Sequence, residues 1–186
     1  MTKNEPSRIS KIEKDPATIK IKKHTREDIQ LRVKWLNNPS VNKYIGEEVG
    51  KGTTLKKEQE WFAEYEGSKD KQFFTIYDEP KPIGFMGLSS ISKANKNADL
   101  FIAIGEEEYQ GRGFGPKALE WLIEYGFTKL ELHKINLGVI KDNAPAVKLY
   151  KSLGFVVEGE MKDEVFFEGE YHDFLSMAIF QTDTEA

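Results

Sequence analysis

An apolar run, a glycine-rich hexapeptide and a helix-patterned segment follow one another in the middle of this chain, and that order constrains the fold more than any other feature. The apolar run is Asp99-Leu100-Phe101-Ile102-Ala103-Ile104-Gly105, and the hexapeptide is Gln110-Gly111-Arg112-Gly113-Phe114-Gly115. After Pro116, residues Ala118, Leu119, Leu122 and Ile123 recur at the spacing of one helix face. A strand, a glycine loop and a helix N-terminus in succession make an anion site. Glycine lets the backbone approach a ligand closely, and the first N–H groups of a helix have no intrahelical partner. Pro116 suits a first helical turn, where its missing N–H costs little. Arg112 adds a cation able to contact phosphate. The segment is therefore expected to hold a phosphorylated ligand, although a plain tight turn before a helix would look the same in isolation. Two common nucleotide motifs are excluded. No G-x-x-x-x-G-K-S/T string occurs, and Gly111-x-Gly113-x-Gly115 has the wrong spacing and position for a dinucleotide fingerprint.

The downstream sequence narrows the choice. Leu132-His133-Lys134-Ile135-Asn136-Leu137 is followed by Asn143-Ala144-Pro145-Ala146-Val147-Lys148-Leu149-Tyr150 and then by Leu153-Gly154-Phe155. With the loop, these segments resemble the Gcn5-related N-acetyltransferase (GNAT) family, whose pyrophosphate loop reads Q/R-x-x-G-x-G/A. Gln110, Gly113 and Gly115 occupy those three positions. The likeness includes the ribosomal-protein and spermidine N-acetyltransferase branches. It extends to Trp35-Leu36-Asn37-Asn38-Pro39 and to Glu168-Gly169-Glu170-Tyr171-His172-Asp173, roughly residues 17–181 in all. The resemblance implies one α/β domain with a mixed, mostly antiparallel sheet flanked by helices. Its fourth and fifth strands should splay apart to admit acetyl-CoA.

Length and composition agree with one domain. The chain has 186 residues, enough for a single sizeable core, with a net charge of −4 and no cysteine. Without cysteine there is no disulfide framework, no thiolate metal site and no cysteine nucleophile. No run of 18 apolar residues exists, and Met1-Thr2-Lys3-Asn4-Glu5-Pro6-Ser7 lacks a signal-peptide core. A cytoplasmic protein without membrane association is expected. The net negative charge argues against broad nucleic-acid binding. The lysines between Lys3 and Lys23 read as a solvated tail and strand edge.

Residues 1–15 read as a polar tail and 16–182 as the domain. Ile19 and Ile21 mark a first strand, and Thr25-x-x-Asp28 a capping box before a helix over about 26–36, stopped near Asn37-Asn38-Pro39. Leu55 to Tyr65 has a second helical pattern. Lys71–Tyr77 and Pro82–Ser90 read as a strand pair, Asn97–Ile104 as the next strand, and the main helix runs to about Lys129. His133–Ile140 follows as a strand. Asn143–Leu153 is a helix capped by Asn143 and closed by Gly154. Phe155–Phe167 and Tyr171–Phe180 read as antiparallel strands around Glu168-Gly169.

Acetyl transfer from a thioester to an amine requires a held pyrophosphate, a polarised carbonyl, a deprotonated amine and a protonated leaving thiolate. By resemblance, Gln110, Gly111, Arg112, Gly113, Phe114 and Gly115 bind the cofactor. A backbone N–H within Ile102, Ala103 and Ile104 polarises the carbonyl, freed from the ladder by a bulge near Gly105. Asn143 contacts the pantetheine arm, and Tyr150 is the general acid. Each has a structural alternative: a buried strand end, a helix cap, and a tyrosine packed beside Ala146, Val147 and Leu153. For the base, Glu47, Glu48, Asp99 and a water relay all remain open, with Glu47 and Glu48 also placed in the acceptor site. His133 and His172 draw attention as bases, but His133 at a strand start reads as structural, nothing beside His24 suggests a site, and the three histidines lack metal-ligand spacing, so no metal is expected.

Residues 158–173 carry seven acids against Lys162, which reads either as a field for a cationic amine or as a solvated hairpin. The expected activity is acetyl-CoA-dependent N-acetylation of a primary amine, a peptide N-terminus or a small amine, by direct attack. A polyamine acetyltransferase is the alternative, and a non-catalytic acyl-CoA sensor is the alternative of another class. A homodimer through the C-terminal strands is implied by resemblance alone.

Overall fold

The computed structural model describes residues 19–45 and 51–181. The expected polar tail, and Glu47 and Glu48 of the early loop, lie outside the described residues. Lys20–Lys23 forms β1 at one sheet edge, its lysines guarding an otherwise unpaired strand side. The Thr25 N–H then donates to the Asp28 carboxylate at 2.8 Å, the reciprocal half of a capping box. One 3-10 turn, Arg26–Asp28, leads into α1, Ile29–Leu36.

The Asn37-Asn38-Pro39 stop is only half right. Pro39 ends α1 but opens a second short helix, α2 (Pro39–Asn42), because proline fits a first turn and the Asn38 side chain accepts from the Ser40 N–H at 3.0 Å. Helix α3 (Leu55–Gly67) is capped by Thr54, whose hydroxyl accepts from the Lys57 N–H at 3.2 Å.

The remaining elements fall close to their expected bounds. They are β2 (Gln72–Asp78), β3 (Lys81–Ser92), β4 (Asn97–Ile104), α4 (Phe114–Lys129), β5 (Lys134–Ile140), α5 (Ala144–Ser152), β6 (Val156–Phe167) and β7 (Glu170–Phe180). Helix α4 starts at Phe114, two residues before the proline that was expected to open it. Glu168 and Gly169 have φ of 53° and 86°, the left-handed pair that a tight hairpin turn demands.

The sheet order is β1-β2-β3-β4-β5-β7-β6, and every neighbouring pair is antiparallel except β4–β5. That parallel pair is brief: Asn97, Ala98 and Asp99 face Lys134, Ile135 and Asn136, and there the register ends. Beyond it β5 stays paired with β7 as far as Ile140↔Phe174, while β4 stays paired with β3 as far as Ile104↔Gly84. Two strands tied firmly to opposite halves of a twisted sheet thus part at their C-terminal ends. The splay implied by the family resemblance is present.

Alternation along the strands divides the core. One sheet face carries Met86, Leu88, Leu100, Ile135, Leu137 and Met177 against Ala118, Leu119 and Leu122 of α4, with α5 packed on the same side. The other face packs Phe73 against Ile29, Phe62 and Tyr65, and Phe85 and Ala103 against Trp35 and Val41.

Trp35 is fully buried and touches the end of β4 directly: a Cβ on Gly105 would lie 2.2–2.5 Å from its ring atoms. Its indole N–H donates to Glu106 at 2.7 Å, and Lys34 and Lys81 also pair with that carboxylate. Gly105→Ala should therefore cost about 1–3 kcal/mol, since a fully enclosed indole cannot yield. Urea unfolding checks this, and an unchanged midpoint would show that the indole can move aside.

His24, expected to be unremarkable, is 3% exposed, with Nδ1 2.8 Å from the Thr75 hydroxyl. Burial, reinforced by the Arg32 charge, lowers its pKa from 6.5 to about 4. Between those values the unfolded chain binds a proton that the native state refuses. The contribution is intact above pH 6.5 and is lost as the pH falls toward about 4. His24→Gln should flatten that part of a stability–pH profile measured by urea unfolding; an unaltered slope would remove His24 as its source.

Candidate active site

The parting of β4 from β5 leaves one edge of β4 without a ladder. Gly105 and Glu106 both donate to the Ile83 carbonyl, at 2.8 and 3.1 Å, which is the expected bulge. The bulge does not free an amide, because both of its N–H groups are bonded. The free amides arise from alternation. Since Gly105 donates toward β3, residues two apart do the same, and Ile102 and Ile104 present their backbone groups to the gap. The Ile104 carbonyl indeed faces that way, accepting from the Gln110 amide at 3.0 Å.

A cavity of about 390 Å³ occupies this gap. It brings together Ile102, Ala103, Ile104, Gln110, Gly115, Asn143 and Tyr150, all singled out from the sequence. Gly115 joins the walls: a Cβ there would sit 4.0 Å from both Ile104 of β4 and Leu149 of α5. Gly111, Arg112, Gly113 and Phe114 do not line the cavity and form the exposed loop and helix start beside it. Gly111 and Gly113 have φ of 66° and 87°, and Gly113 is the N-cap of α4. This backbone path requires glycine and leaves the first-turn N–H groups available to an anion. Phe114 is itself buried, so only its backbone can serve a ligand.

Arg112 turns back on its own loop. Its guanidinium donates to the Glu108 carbonyl at 3.2 Å and lies 5.3 Å from the Tyr109 ring centre. Gln110 is likewise engaged with Ile104, which joins the loop to the end of β4.

Asn143 is the expected helix cap and also faces the gap. Its side chain accepts from the Ala146 N–H at 3.4 Å as the cap of α5, and it lines the cavity. Tyr150, seven residues further along, is half-buried, and its hydroxyl has no hydrogen-bond partner among the described residues. Burial pushes its pKa up to about 12, so the phenol keeps its proton.

Among the lining residues not singled out as site residues from the sequence are Ser40, Val41, Tyr44 and Ile45. They come from α2 and the chain just after it, where Pro39 read as a stop rather than a start. Tyr44 in turn meets Phe167 edge-on at 6.0 Å, so the β6–β7 hairpin backs this wall. His172 stacks on Phe167 at 4.1 Å and pairs with Asp142 at 2.8 Å, which raises its pKa, but it does not line the cavity. Asp99 is exposed and also lies off the lining.

The acidic stretch is compensated in part, at three of its seven acids. Glu158 pairs with Lys134 at 2.7 Å, while Glu160 and Asp173 share Lys141 and Lys162. Exposed pairs of this kind add little stability, and they reduce the expected negative field without cancelling it.

Comparison with known proteins agrees with this geometry. Residues 19–156 match the family model described as the acetyltransferase (GNAT) domain. The chain is 33% identical over 171 residues to spermidine N(1)-acetyltransferase of Escherichia coli K12, covering 88% of this chain and 87% of that one. It is 24% identical over 126 residues to the putative ribosomal N-acetyltransferase YdaF of Bacillus subtilis, covering 68% of each. Among solved structures, spermidine N-acetyltransferase from Vibrio cholerae in complex with CoA and spermine superposes with a TM-score of 0.82 at 30% identity, covering 88% of this chain and 95% of that one. A β4–β5 gap bordered by a glycine loop and a half-buried tyrosine, matched by family and by fold, makes this chain a member of the GNAT family of N-acetyltransferases.

Proposed function

We propose that the β4–β5 gap binds acetyl-CoA and that the acceptor is a small polyamine of the spermidine class. The observation that carries this reading is the cavity itself, which unites the open edge of β4, the Asn143 cap and the Tyr150 phenol. The acceptor assignment is supported by the similarity to spermidine acetyltransferases over most of both chains.

When bound, acetyl-CoA supplies an activated acyl thioester. The residues present suit such a ligand. Gly111 and Gly113 shape a path that leaves N–H groups of the α4 first turn for phosphate, although Pro116 removes one such donor. Arg112, engaged with its own loop, assists by holding that shape as well as by its charge. Ile102 or Ile104 donates a backbone N–H to the thioester carbonyl, where charge builds during attack by the amine. Tyr150 donates its O–H to the sulfur. Full transfer from a phenol near 12 to a thiolate whose free pKa is about 8.5 runs uphill. Tyr150 therefore acts first as a hydrogen-bond donor that steadies the departing sulfur, and loses its proton only as that charge develops. No carboxylate among the described lining residues can take the amine's proton. Water relays it, or Glu47 or Glu48 does so from the early loop.

A homodimer through the C-terminal strands belongs to the same reading. Val156, Val157, Phe166 and Tyr171 of β6 and β7 are exposed apolar surface at that edge of the sheet.

Tyr150→Phe should lower kcat by about 10²-fold or more while leaving acetyl-CoA affinity near that of the wild type. Because the phenol stays protonated until about 12, the ratio of mutant to wild-type rate should be flat from about pH 6 to about pH 10. Steady-state kinetics across that range test it, and a ratio that converges at high pH would place the phenol's ionisation in the working range. Free-CoA release with spermidine should exceed that with N-terminal ribosomal peptides. The reverse order would favour the ribosomal reading suggested by the Bacillus relative.

A further inference from the structure

The β6–β7 hairpin overhangs the rest of the sheet. Pairing of β5 with β7 ends at Ile140↔Phe174, and one further backbone bond, from the Lys141 N–H to the Asp173 carbonyl at 2.9 Å, continues the tie by a single residue. Residues 170–172 of β7 therefore have no β5 neighbour. The β6–β7 ladder is itself irregular between Met161 and Val165, where Asp163 has φ of 53°. What lies beyond is two strands wide, Val165–Phe167 against Glu170–His172. A two-stranded hairpin on its own is marginal in water, so this tip takes its position from what its side chains touch.

His172 makes two of those contacts. Its Nδ1 lies 2.8 Å from the Asp142 carboxylate, and because an ionised carboxylate only accepts, the proton is on Nδ1. The same imidazole stacks on Phe167, with ring centres 4.1 Å apart. Phe167 is buried and meets Tyr44 edge-on at 6.0 Å. One ring thus touches the supports of two walls of the β4–β5 cavity. Asp142 immediately precedes Asn143, the cap of the helix that carries Tyr150. Tyr44 lines the cavity from the opposite face of the sheet, with Val41 and Ile45. With acetyl-CoA along the glycine loop, Asn143 and Tyr150, the Tyr44 wall is the one left for the amine.

We propose that His172 is a positioning residue for the acceptor, which rests on the acetyltransferase reading of this cavity. Its bond to Asp142 anchors the hairpin tip to the start of α5, and its contact with Phe167 carries that anchor to Tyr44. The amine is then held at a fixed place relative to Tyr150, and small displacements of such a wall weaken productive binding.

Steady-state kinetics with spermidine and acetyl-CoA test the assignment. His172→Ala should raise the KM for spermidine roughly tenfold and leave the KM for acetyl-CoA within about twofold of the wild type. Asp142→Ala should do the same, and since Asp142 is exposed its removal leaves the fold intact, which a urea midpoint near that of the wild type checks. Asp142→Asn, still an acceptor for Nδ1–H, should restore most of the loss. The two alanine changes together should be no worse than either alone, and His172→Ala should add nothing in a Tyr44→Ala background. An unchanged spermidine KM in both single alanine variants overturns the proposal. So does an equal rise in both KM values, or an effect of His172→Ala that persists without Tyr44. If the wild type acetylates no amine, the acceptor reading fails separately, and the anchor is read without turnover from the Tyr44 ring signals in aromatic NMR spectra. Those signals should shift in His172→Ala and in Asp142→Ala, and their staying in place overturns the anchor.

Discussion

The parting of β4 from β5 after three residue pairs is the feature on which the rest of the structure depends. A continuous parallel ladder would have satisfied the β4 edge internally and closed the sheet. Because β5 is held by β7 and β4 by β3, the strands diverge, and the backbone N–H groups of Ile102 and Ile104 face a gap outside the ladder. Such groups are costly when buried without partners. On the proposed function they are what a thioester carbonyl requires. Helices α4 and α5 meet over the same gap, so the glycine loop, Asn143 and Tyr150 converge on it from separate stretches of chain.

The end of β4 is held in place by a buried indole. Trp35 presses on Gly105, and its N–H, together with Lys34 and Lys81, neutralises Glu106. The bulge at Gly105–Glu106 directs the chain out of the sheet and into the loop that reaches Gln110, which bonds back to Ile104. Packing from α1 on one face of the sheet thereby fixes the entrance to α4 on the other. The left-handed path at Gly111 and Gly113 completes a loop that follows its course most readily with glycine at those two positions.

Two buried polar groups meet burial in opposite ways. Tyr150 lies against the cavity with no partner and keeps its proton to about pH 12, which suits a donor waiting for charge to form. His24 is held neutral beside Thr75, Asp28 and Arg32, in a polar cluster at the edge of the sheet far along the strand order from the reaction. Desolvation, the largest cause of both shifts, raises the phenol and lowers the imidazole because it always disfavours the charged form.

Much was legible in the sequence because local rules decide it. Alternation marked the strands, the Thr25, Asn143 and Gly154 positions marked helix ends, and Gln110, Gly113, Gly115, Asn143 and Tyr150 carried the family likeness in a short span of chain. Other features depend on neighbours remote in sequence. Pro39 suits either the end of one helix or the start of another, and only the cap at Asn38 and packing of Val41 against Trp35 settle the second. The acids of residues 158–173 look like one continuous field until Lys134 and Lys141 arrive from β5 and its end to pair with Glu158, Glu160 and Asp173. The sequence by itself determined the elements, the glycine path and the tyrosine, since these rest on dihedral preference and on residue type. The tertiary structure alone decided which β4 amides stand free and that Tyr44 walls the cleft, because both follow from which strand pairs with which.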